Sequence, residues 1–145
     1  MSSLFKLMRS CGGFLALVLV SCAARGADVF ERAQGKWGWL DDREMSCATH
    51  PHVITFVDGK ARAQFEIKAS TADGAAGSSY FYKVLTHDNK SITMRLESET
   101  EKSKNGALVK WVLMLKDSDT YVWWRDDWPA GKTTGKIVRC DKATT

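Results

Sequence analysis

The chain has 145 residues, of which 44% are hydrophobic, 26% charged and 10% aromatic, with four cysteines and a formal net charge of +4. That is room for one domain and one core. Two cations, Lys6 and Arg9, lie in the first 24 residues, which hold no acid, so the remainder carries 19 basic against 17 acidic residues. A near-neutral balance without a basic run excludes an electrostatic footprint for nucleic acid.

Residues 1–27 have the order of an export signal: a short positive region, an apolar run over 14–20, then small residues. The run is shorter than the roughly 20 residues that a membrane-crossing helix needs. Cleavage is expected between residues 22 and 27. Leu19-Val20-Ser21-Cys22 also fits a bacterial lipobox, in which Cys22 becomes the lipidated first residue. A soluble periplasmic protein and a lipoprotein anchored through Cys22 are therefore alternatives, and both place the domain outside the cytoplasm. With Cys11 and Cys22 in the leader, Cys47 and Cys140 remain in the domain, and an oxidising compartment predicts that they form one disulfide.

The domain is expected to run over 28–141, with 142–145 as a tail. Asp28 is a candidate N-cap for one or two helical turns that stop at Gly35. Everything beyond reads as strand: KWGWL, HVITFV, ARAQFEIKA, SYFYKVLTH, KSITMRLES, ALVKWVLMLK, TYVWWRD and GKIVRC. Asp58-Gly59 suits a two-residue type I′ hairpin. Ala61, Ala63, Phe65 and Ile67 alternate with Arg62, Gln64, Glu66 and Lys68, as in a half-buried antiparallel strand. Ile92, Met94 and Leu96 share one face of the fifth strand, and Val109, Trp111, Leu113 and Leu115 share one face of the sixth. Eight short strands with no helix between them predict an all-β, antiparallel up-and-down barrel, an architecture that removes sheet edges. Eight strands enclose an interior that side chains fill or that holds one small ligand.

Gly35-Lys36-Trp37, at the end of a short helical turn and the start of the first strand, resembles the Gly-x-Trp pattern of the lipocalins and the wider calycin group. The resemblance implies a lipocalin-like barrel with Trp37 at its closed end, covered by an arginine of the last strand, here Arg139. The chain is also similar to small exported bacterial β-barrel proteins, which implies a fold and a compartment but no particular activity.

Other clusters have residue types that chemistry can use. Cys47, His50 and His52 have ligand-like spacing, but a disulfide removes the thiolate, so the histidines read as polar residues ahead of a strand and no metal is expected. No Gly-x-Ser-x-Gly, His-Glu-x-x-His or phosphate-cradling loop occurs, and the pairs Asp41-Asp42 and Asp126-Asp127 read as solvated turns, so neither catalytic residues nor a cofactor are expected. In YVWWRDDWP, alternation puts Tyr121, Trp123 and Arg125 on one face and Val122 and Trp124 on the other. Trp37, Arg139, Trp111 and Trp123 are expected to be structural, whereas Trp124, Arg125 and Trp128 are candidate contact residues at the barrel rim. The expected function is a monomeric, non-enzymatic binder of a small apolar or aromatic ligand. The alternative is an inhibitor of a hydrolase, a protease or lysozyme, acting through loop 70–79 or 126–133. A cavity lined by Trp123 or Trp111 favours the first; a filled interior favours the second.

Overall fold

The computed structural model describes residues 26–68 and 77–142. The leader with Cys22, most of loop 70–79, and the last three residues lie outside them. Helix α1 (Val29–Ala33) precedes eight strands: β1 (Gly35–Trp39), β2 (His52–Val57), β3 (Arg62–Ile67), β4 (Ser78–His87), β5 (Ser91–Leu96), β6 (Trp111–Leu115), β7 (Thr120–Arg125) and β8 (Ile137–Arg139). Each strand pairs antiparallel with the next, and β1 also pairs with β8, so the expected up-and-down barrel is closed. The period-2 pattern explains the packing: Ala63 and Phe65, Ile92 and Met94, Leu113 and Leu115, and Tyr121 and Trp123 all turn inward and are buried.

Connections alternate in length. Those at one end, 58–61, 88–90 and 116–119, are short; those at the other, 40–51, 68–77, 97–110 and 126–136, are long. Helix α1 closes the short-loop end. Asp28 and Glu31 form a reciprocal capping box, and Val29, Phe30 and Ala33 are buried. Phe30 lies edge-on to Phe56 at 4.9 Å, and Lys60 pairs with Asp28 across the floor.

Trp37 and Arg139 tie this floor to the barrel. Trp37 is fully buried, and its indole N–H donates to the Ala33 carbonyl at 2.9 Å. The Arg139 guanidinium lies 4.2 Å from the Trp37 ring and donates to the carbonyls of Gln34, Arg32 and Ser118. The glycine of Gly-x-Trp also has a physical reason. Gly35 has φ +127°, and a Cβ there would stand 2.6 Å from an Arg139 nitrogen.

The disulfide between Cys47 and Cys140 joins the long β1–β2 loop to the end of β8, closing a sequence separation of 93. It holds that loop against Gly38, where an added Cβ would fall 2.2 Å from the Cys47 backbone nitrogen.

One local expectation is corrected. Asp58-Gly59 does not form a two-residue hairpin; β2 and β3 last pair at Val57 and Arg62, leaving a four-residue connection. Asp58, Gly59 and Lys60 all have positive φ (51°, 63° and 71°), and Ala61 is right-handed, exposed and outside the strand. The third left-handed residue, Lys60, is the one that reaches Asp28, so the longer turn serves the floor contact.

Candidate functional site

The lower half of the barrel is filled by Trp37, Ile54, Ala63, Met94, Leu113 and Ile137, each at most 1% exposed. Above this layer large rings meet across the barrel, Phe65 of β3 and Tyr82 of β4 reaching Trp123 of β7 on the far side. A cavity of about 320 Å³ remains, opening at the long-loop end. Strand alternation explains its walls: Phe65 and Ile67 come from β3, Tyr80 and Tyr82 from β4, Leu96 from β5, and Tyr121 and Trp123 from β7. Trp39 of β1, Met45 of the disulfide-tethered loop and His52 of β2 complete it. Tyr80 and Leu40, at 44% and 55% exposure, stand near the mouth as exposed apolar side chains.

The aromatic rings touch one another. Phe65 meets Tyr82 at 5.0 Å and Trp123 at 5.4 Å, and Tyr82 stacks on Trp123 at 5.9 Å. They form an aromatic layer across the barrel, on which the cavity rests. His52 lies beside it, stacked on Phe65 at 6.2 Å, with its Nε2 2.5 Å from the Tyr121 hydroxyl. Among the described residues, no Lys, Arg, Asp or Glu lines the cavity. Burial holds His52 down to about 4 and pushes Tyr82 up to about 12, with Glu99 and Tyr80 adding to the latter. Burial also raises Tyr121 well above the usual phenol range, against a hydrogen bond from Trp123. At neutral pH the lining is therefore uncharged.

His52 is a residue that sequence reasoning misplaced. It does not precede a strand as a solvated polar group; it begins β2, faces the interior and is only 6% exposed. The available signal was the alternation of His52, Ile54 and Phe56. His50 turns instead into the β1–β2 loop, its Nδ1 2.7 Å from the Glu44 carbonyl, and Cys47 is consumed by the disulfide. Among the described residues no group of three or more His, Cys, Asp or Glu is arranged to hold a metal.

Burying a neutral imidazole has a measurable consequence. The unfolded chain takes up the His52 proton near pH 6.5 and the folded chain only near pH 4, so stability falls as pH drops through that window. That gap corresponds to about 3 kcal/mol once the histidine is protonated in both states. Urea unfolding at pH 7 and pH 4.5 is expected to show a loss of about 2 to 3 kcal/mol, and His52→Phe should flatten it. A wild-type profile that is already flat over this range would contradict the buried neutral histidine.

The expected contact residues lie outside the cavity and on two different faces. Trp123 lines the cavity at 8% exposure. Trp124 is on the outer face, cross-strand from Val112, where Val112 and Val122 are buried beside it. Arg125 and Trp128 are brought together with Trp111 at the rim. The Arg125 guanidinium lies 4.9 Å from the Trp111 ring and 5.9 Å from the Trp128 ring, and pairs with Asp127 and Glu101 at 2.9 and 2.6 Å. These bonds raise Arg125 and hold the Asp127 carboxyl below the carboxylate range. Trp128 meets Trp111 edge-on at 6.0 Å and carries Lys132 on its ring. A polar groove of about 510 Å³ runs beside it between 103–105 and 126–129. Its carboxylates have local work, since Asp126 accepts from the Lys110 backbone N–H and Asp127 holds Arg125.

No protein-family model, curated protein or solved structure matches the chain.

Proposed function

We propose that this protein is an exported, non-enzymatic binder that holds one small apolar or aromatic molecule in the open end of a lipocalin-like barrel. The observation that carries the reading is the cavity of about 320 Å³ at the open end, resting on the ring layer of Phe65, Tyr82 and Trp123 and bordered by Trp39, Met45, Tyr80 and Leu96. Small-molecule sites are concave, mostly apolar and lined by aromatic side chains with a few polar groups. At the lower end of the usual size range, this one suits a ligand of up to three rings. The Gly35, Trp37 and Arg139 arrangement supports the lipocalin-like reading of the floor. The leader over 1–27 and the Cys47–Cys140 disulfide support export, either as a soluble periplasmic monomer or anchored through a lipid on Cys22.

The neutral fluorophore N-phenyl-1-naphthylamine tests the reading. Its emission is expected to rise saturably at one site per chain, with quenching of tryptophan emission as it settles on Trp123. A linear, unsaturable response would show partitioning onto the surface and sink the proposal.

A further inference from the structure

His52 and Tyr121 narrow the ligand class. A neutral imidazole has one donor and one acceptor nitrogen. Nε2 is engaged by the Tyr121 hydroxyl at 2.5 Å, and Nδ1 has no hydrogen-bond partner among the described residues. That atom is not sealed off either: among the described residues, the side-chain polar atom that is both shut from solvent and unpartnered is Arg32 Nε. The small exposed part of His52 therefore includes Nδ1, and the open space that His52 borders is the cavity. A polar atom on an otherwise aromatic wall loses free energy when an apolar molecule displaces its water without replacing the hydrogen bond.

The missing partner has definable chemistry. Whether Nδ1 donates or accepts depends on the tautomer set by Tyr121, and a hydroxyl satisfies either case because it does both. A carboxylate would be buried with no cation among the described lining residues, which is costly. An ammonium would need rings spaced around it, but Phe65, Tyr82 and Trp123 lie against one another in a single layer across the barrel. Such a layer suits a flat ring resting on it.

Resting on the cavity reading above, we infer that the ligand is an uncharged aromatic alcohol or phenol whose hydroxyl joins the His52–Tyr121 pair while its ring lies against Phe65 and Trp123. Three probes of one shape separate the possibilities: naphthalene, 2-naphthol and 2-naphthoate, each titrated at pH 7 in competition with N-phenyl-1-naphthylamine. 2-Naphthol is expected to bind about tenfold tighter than naphthalene, the effect of one well-made hydrogen bond. 2-Naphthoate should bind more weakly than both. Tyr121→Phe should reduce the naphthol preference, and the double variant His52→Phe with Tyr121→Phe, which leaves neither partner unmatched, should abolish it while naphthalene still binds. Equal binding of naphthol and naphthalene by the wild type, or tightest binding of naphthoate, overturns the hydroxyl inference and leaves the cavity reading standing. Failure of all three probes to compete overturns both.

Discussion

Replacing Trp37 with alanine is expected to destabilise the domain by about 3 to 5 kcal/mol, the usual range for removing a large buried aromatic ring. Trp37 is 0% exposed and lies edge-on to Tyr121 at 4.9 Å. Its removal opens a void between α1 and the barrel. It also strands the Ala33 carbonyl, which accepts from the indole, and takes away the face on which Arg139 rests. Because Arg139 holds the last turn of α1 through the carbonyls of Arg32 and Gln34, the helix should loosen with the core. Chemical unfolding measures the loss. A change within about 0.5 kcal/mol would mean that Trp37 does not organise the floor, and the lipocalin-like reading would lose its main support.

Cys140→Ser is expected to cost about 2 to 5 kcal/mol. Cross-linking residues separated by 93 positions restricts the unfolded chain, which in the chain-entropy account is worth on the order of 4 kcal/mol. The bridge also tethers the loop that carries Met45, part of the cavity wall, so the variant should bind ligand more weakly as well. Unfolding of oxidised wild type and of the variant, together with alkylation of the unreduced protein, checks both points. Two reactive thiols in the native wild type, or a loss below about 1 kcal/mol, would contradict this account.

The barrel was legible because its signal is local. Alternation at Ala63, Phe65, Ile92, Met94, Leu113 and Leu115 marks inward positions whatever the strands pair with, and the cysteine count names the bridge. The site was only partly legible. That Phe65 and Tyr82 meet Trp123 across the barrel and leave open space only above them depends on cross-barrel contacts, which no single strand encodes. His52 was overlooked because His50 and Pro51 before it suggest a solvated approach to the strand. Alternation already put Trp124 and Arg125 on opposite faces; what it could not carry is the set of partners, Asp127, Glu101 and Trp111, that holds Arg125 at the rim. The turn at Asp58-Gly59 was misread because Lys60 adopts a left-handed conformation stabilised by a distant partner, Asp28.

Filling the cavity tests the central claim most directly. Leu96 lies on its wall at the end of β5 and is half-buried, so Leu96→Trp adds volume at the mouth without disturbing the packed floor. Calorimetric titration of N-phenyl-1-naphthylamine into wild type and Leu96→Trp, with circular dichroism to verify that both are folded, gives the answer. The account predicts one-site binding by the wild type and at least a tenfold loss of affinity in a folded Leu96→Trp, equivalent to about 1.4 kcal/mol. Unchanged binding by the folded variant would place the ligand elsewhere and contradict the account.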